Sequence, residues 1–226
     1  MKKRISLGLA LVFCLFGAVA AHAQMPTRYP IKADDGDTIA NFDLKPGLSD
    51  RLDRLAGKVA VGNVNGDVTL MQFYDLNCPY CREAAADIDT LVRADKKLKL
   101  IFVPYAVLSV ASVRGAMVEI AAAKQLTPEQ YLDFHRRIYA NRGTIDGPKV
   151  LAVAKDMGLD PQKLAGVANT EATLNILRDN ATIGGEAGLA ATPAYVIDGV
   201  AIVGHPGLKA LQSVVHSVRA CGKVVC

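Results

Sequence analysis

The chain has no tryptophan and only five cysteines in 226 residues, and it shows neither a low-complexity tract nor an internal repeat. The missing tryptophan decides nothing. The missing low-complexity tract, with 51% apolar residues, excludes a disordered polymer. The length suits one core with an insertion, or at most two small domains. The charge excess is also small. The formal net charge is +4, and without Lys2, Lys3 and Arg4 it is about +1. That leaves no basic surplus to attract nucleic acid or an anionic membrane. After the first twenty residues no apolar run is long enough to cross a bilayer, so the mature chain is expected to be soluble.

Those first residues read as a leader. Lys2, Lys3 and Arg4 form a positive start, Ile5 to Ala20 an apolar run, and Ala21-His22-Ala23 a small-x-small cleavage signal. Cleavage after Ala23 is expected. The alternative, an uncleaved anchor, asks for a longer span. Cys14 follows Leu11-Val12-Phe13, too bulky for a lipoprotein signal. Cleavage leaves Cys78, Cys81, Cys221 and Cys226, an even set of the kind an oxidising compartment permits.

From Gln24 to about Ala60 the chain is polar and turn-rich. Leu48, Leu52 and Leu55 make one stripe of a short helix, with Ser49 or Asp50 as its cap. The stripe packs on its own domain or serves as an oligomerisation arm. Val68 to Tyr74 reads as a buried strand, the run from Cys81 to about Ala94 as a helix, and Leu98 to Val103 as a second strand. The next eighty residues are helical. Thr127-Pro128-Glu129-Gln130 is a strong start signal within them. Ala194 to Ile197, Asp198-Gly199 and Val200 to Val203 then form a hairpin with a primed turn, and Leu208 to Val215 a closing helix.

Cys78-Pro79-Tyr80-Cys81 sits at the turn between the first strand and its helix. Two cysteines at this spacing can form a closable disulfide, supply half a metal site, or sit inertly in a core. Structural zinc wants about four ligands, and the Cys221 to Cys226 spacing matches poorly. Redox chemistry needs a thiolate, and free N–H groups at a helix start favour one. Cys78 is therefore read as the nucleophile in an open loop. Cys81, one turn in, is the resolving thiol. Pro79 and Tyr80 tune the pair. Thr192-Pro193, just before the hairpin, is a candidate tight loop with a special peptide bond.

With Cys78-Pro79-Tyr80-Cys81 after a strand, a helical insert, and Ala191-Thr192-Pro193-Ala194 before a hairpin, the chain resembles the DsbA family of periplasmic thioredoxin-fold proteins. Gly62 to Leu70 and Phe73 to Cys81 are similar to the opening of its group of outer-membrane-associated and suppressor-of-copper-sensitivity proteins. The resemblance spans roughly Ala60 to Val215. It implies an α/β thioredoxin fold with a helical insertion, Cys78 as the exposed nucleophile and Cys81 as its buried partner. It also implies a cis-proline at Pro193 that, with Thr192, holds substrate backbone across the pair. The family usually has an acid six residues before the nucleophile, where this chain has Gln72, and glycine where it has Ala191.

The expected organisation is a leader over 1–23, an extension with a short helix over 24–60, a thioredoxin-fold domain from 61–108 and 189–218, a helical insertion over 109–188, and a tail over 219–226. The expected function is thiol–disulfide exchange on exported proteins in the periplasm, as a disulfide donor served by a membrane redox partner. No cofactor or metal is expected. The alternatives are a reduced isomerase or reductase, assembled through the 24–60 helix, and a copper-binding protein using Cys78 and Cys81 as soft ligands. Cys221 and Cys226 are read as a structural disulfide, the alternatives being a second exchangeable pair or a free thiol pair that docks a partner. His135 is read as a surface or packed histidine, and His205, in a turn before Pro206, is given no redox role. Glu83, Asp87 and Asp89 show no paired-carboxylate geometry for hydrolysis.

Overall fold

A computed structural model describes residues 26–226. The leader and its cleavage signal lie outside the described residues. Alternating and continuous apolar runs build a six-stranded sheet. In chain order its strands are β1 (Ala40–Asp43), β2 (Val59–Gly62), β3 (Val68–Tyr74), β4 (Leu98–Pro104), β5 (Ala194–Ile197) and β6 (Val200–Val203), and in space the order is β1-β6-β5-β3-β4-β2. β3 and β4 run parallel, and the other pairs are antiparallel. The parallel pair needs a crossover, supplied by α2 (Pro79–Ala94).

The continuous apolar runs of β3 and β4 follow from burial on both faces. On one face Leu70, Tyr74, Leu100, Phe102, Tyr195 and Ile202 pack against α2, α4 (Pro128–Tyr139) and α8 (Leu208–Cys221). On the other, Met71, Phe73, Ile101 and Val196 pack against Leu48 and Leu52 of α1 (Leu48–Asp53), Leu55 just beyond it, and Ala187. The leucine stripe is thus buried in the chain's own core. Between β4 and β5 run α3 (Val110–Ala123), α4, α5 (Gly147–Asp156), α6 (Pro161–Ala168) and α7 (Glu171–Glu186). Thr127 and Gln130 form a reciprocal capping box at α4.

The hairpin between β5 and β6 turns through Asp198 (φ 48°) and Gly199 (φ 74°), both left-handed as a primed turn demands. Two details depart from the sequence reading. Ser49 and Asp50 do not cap α1. They lie inside it, and the cap position is the left-handed Gly47, with no side-chain bond. The 24–60 segment also holds β1 and the start of β2, strands not expected from its polar composition. β1 adds to β6, and β2 adds to β4. Both are four-residue edge strands, too short to show a period and needing only one buried face.

Candidate redox site

Cys78 closes the segment after β3 and occupies the N-cap of α2, with Pro79 at the first helical turn. Proline suits that position because its missing N–H would find no partner there. The chain reaches this turn through Asp75, which is 1% exposed. One oxygen of its carboxylate accepts from the amide of Asn77 (2.8 Å) and from Ser112 Oγ (2.6 Å). The other accepts from the amides of Val107 and Leu108 (both 2.9 Å). One buried side chain thereby ties the cysteine loop to the loop before α3. Asn77 adds a second tie, since its side chain donates to the Ile145 carbonyl and accepts from the Ile145 amide. Arg82, next to Cys81, donates to the carbonyls of Tyr139, Asn141 and Gly143.

The Thr192–Pro193 peptide bond is cis, and its loop lies over the pair. Cys78 Sγ donates to the Thr192 carbonyl oxygen at 3.0 Å. Cys78 is consequently only 4% exposed and Cys81 1%. The nucleophile candidate is therefore not in an open loop. The exposed member of the motif is Tyr80, at 63%. Both cysteines are free thiols.

The two sulfurs differ sharply in proton affinity. A hydrogen bond from the Cys81 thiol, set against the cost of burial and joined by the Thr192 side chain and the amides of Cys81 and Tyr80, lowers the Cys78 pKa to about 6. Burial, and then the Cys78 sulfur beside it, push the Cys81 thiol far above the ordinary thiol range. One site therefore offers a stabilised thiolate and a protonated, shielded thiol one turn away.

A family model described as thioredoxin matches residues 55–217. The chain belongs to the thioredoxin family. Among solved structures it is similar to a thioredoxin-like oxidoreductase from Silicibacter pomeroyi DSS-3, at 29% identity over 75% of this chain and 96% of that one, with a TM-score of 0.68. It shares its fold with the thiol-disulfide exchange protein alpha-DsbA2 from Wolbachia pipientis (24% identity, 76% and 93% covered, TM-score 0.67). The same fold recurs in the catalytic domain of Proteus mirabilis ScsC (21%, 75% and 93%, 0.66). No curated protein matches. The chain thus carries the thioredoxin fold of these structures, with its Cys-Pro-Tyr-Cys motif at the start of α2.

The structure brings Cys78, Pro79, Tyr80, Cys81, Thr192 and Pro193 together. It leaves Cys221 and Cys226 elsewhere, where a disulfide joins the last residue of α8 to the C-terminal Cys226. Arg219 of α8 pairs with Asp67 at the start of β3, whereas Cys78 follows the end of β3. A strand's length therefore separates the two cysteine pairs. Sequence reasoning missed Asp75, Asn77 and Arg82. Asp75 carried one signal, an acid and an asparagine just ahead of a cysteine turn, the residue types that bond nearby backbone amides.

Proposed function

We propose that the protein donates disulfides to exported proteins in the periplasm. Cys78 is the nucleophile and Cys81 the resolving thiol. Thr192 and Pro193 hold substrate backbone beside them, and Pro79 and Tyr80 tune the pair. The chemistry balances simply. A substrate thiolate attacks Cys78 of the oxidised pair, the Cys78–Cys81 bond breaks, and Cys81 leaves as a thiol after taking a proton. A second substrate thiolate attacks the mixed disulfide, forms the substrate disulfide and releases Cys78 as a thiolate. A membrane redox partner then takes the two electrons and restores the pair.

The observation that carries this reading is the low proton affinity of Cys78. A stabilised thiolate stabilises the reduced protein, and a stabilised reduced form makes a stronger oxidant. A cavity of about 330 Å³ lined by Tyr105, Val107, Leu108, Leu189, Ala191 and Thr192 adjoins the cysteine loop. Val107 and Leu108 of its lining are exposed. An apolar rim of this kind suits an unfolded or extended protein substrate better than a small thiol. The periplasmic assignment rests on the leader read over residues 1–23.

The test is the reduction potential of the Cys78–Cys81 pair in a glutathione buffer, with Cys221 and Cys226 replaced by serine. A value near about −120 mV supports the donor. A value near about −270 mV replaces it with a reductase.

A further inference from the structure

Thiol exchange through Cys78 and Cys81, the chemistry of the preceding reading, obliges Cys81 to change protonation in every turnover. It must lose a proton to attack a mixed disulfide on Cys78 and regain one when it leaves. Yet Cys81 is 1% exposed. Water reaches it poorly, so the protein has to supply a path.

Two candidate routes end inside the protein. The Tyr139 hydroxyl donates to the Asp75 backbone carbonyl and goes no further. Glu119, His135, Tyr74 and Tyr131 form a closed cluster, in which Glu119 bonds Tyr74 (2.7 Å) and His135 (2.8 Å) and Tyr74 bonds Tyr131 (3.2 Å). Every member is buried, at 0% for Glu119 and 3% for His135.

A third route reaches solvent. Gln72 and Tyr195 are partners across β3 and β5. Tyr195 belongs to the same buried cluster as Cys81, on the face covered by α2. Gln72 Nε2 donates to the Tyr195 hydroxyl at 3.4 Å. That hydroxyl lies 2.8 Å from His205 Nδ1, and His205 Nε2 lies 2.9 Å from Asp87 Oδ2. The side chains of His205 and Asp87 are 14% and 36% exposed. A neutral imidazole with its proton on Nε2 satisfies every link, since Gln72 donates to Tyr195, Tyr195 donates to His205, and His205 donates to Asp87. Among the described residues the other amide atom, Gln72 Oε1, is buried with no partner, an open acceptor in the same interior. Asp87 of α2 and Tyr195 of β5 are the titratable groups bonded to the imidazole. The nearby Asp34 carboxylate is held instead by the amides of Lys209 and Ala210 at the start of α8.

We infer that Tyr195, His205 and Asp87 form the proton path of Cys81. As Cys81 attacks Cys78, its proton is taken up by the chain that Tyr195, His205 and Asp87 form, and it ends on His205 Nδ1. The resulting imidazolium is paired with Asp87, whose exposed edge meets water. The Cys81–Cys78 bond forms, the Cys78–substrate bond breaks, and the substrate sulfur leaves with the electron pair. In the reverse direction the same chain returns a proton to Cys81. His205, to which the sequence assigned no redox role, is a proton-relay residue here.

The experiment reacts the full mature chain, reduced, with excess oxidised peptide carrying one disulfide, at pH 5 to 8.5. Acid quenching and mass spectrometry follow the mixed disulfide. Its formation reads the Cys78 step, and its concentration-independent decay reads the Cys81 step. Asp87→Asn, His205→Gln and Tyr195→Phe should slow the decay by about 100-fold. They should also flatten the pH dependence of that decay. Formation rates should stay within about two-fold of the parent, since a simple loss of structure would slow both steps. The relay is overturned if decay keeps the parent's rate and pH profile in the Asp87 and His205 variants, or if formation falls as much as decay. A parent protein that forms no mixed disulfide at all overturns thiol exchange itself, and the relay with it. A reducing potential with normal relay kinetics sinks only the donor assignment.

Discussion

The carbonyl oxygen of Thr192 lies 3.0 Å from Cys78 Sγ, so a residue 114 positions away covers the sulfur on which the chemistry turns. A bound substrate would have to displace this contact and reuse the same backbone edge. On the proposed reading, substrate docking and thiol unmasking would be one event.

Cys78 should titrate well below Cys81. Thiolate absorbance of the reduced protein should rise with a midpoint near pH 6 and correspond to one sulfur, vanishing in Cys78→Ser. A midpoint at or above 8 would remove the basis of the donor reading.

Stability should follow from the same shift. The Cys78 pKa is lower folded than unfolded, so its contribution is complete above the unfolded value of about 8.5 and disappears as pH falls through about 6. Cys81 is shifted the other way, so its contribution is lost as pH rises above about 8.5. The urea midpoint of the reduced protein, relative to Cys78→Ser, should climb between pH 6 and 8. A flat difference would show that the folded site does not favour the thiolate.

Asp75→Ala should cost about 3 kcal/mol, because three amides and the Ser112 hydroxyl lose their buried acceptor. Equilibrium unfolding in urea measures it. A loss below 1 kcal/mol would mean that water satisfies these donors and that the carboxylate is not the tie between the two loops.

Leu52 is 1% exposed in the core beneath β3, so Leu52→Ala should cost about 2 to 5 kcal/mol. Sedimentation should report the same assembly state before and after the change. An altered assembly without lost stability would return the leucine stripe to an interface.

Replacing Cys221 and Cys226 together by serine should cost about 2 kcal/mol, the entropy of a loop with a sequence separation of 5. The potential of the distant Cys78–Cys81 pair should stay unchanged. A shift of more than about 30 mV, equivalent to 1.4 kcal/mol, would mean that the two disulfides communicate.

The local features were legible because local chemistry causes them. Cysteine spacing, the proline after Cys78, the capping box of α4, the Asp198-Gly199 turn and the continuous apolar runs of β3 and β4 each depend on near neighbours in the chain. The sequence alone therefore determined the redox motif, the order of the main elements and the family. It did not determine β1 and β2, whose pairing partners lie far away in the chain, nor the burial of Cys78, which depends on a loop after α7. The meeting of Gln72, Tyr195, His205 and Asp87 was equally out of reach. Strand register puts the first two side by side, and the packing of α2 on the sheet brings Asp87 to His205. Burial, proton affinity and proton paths are set by which distant segments come into contact, so tertiary structure decided them.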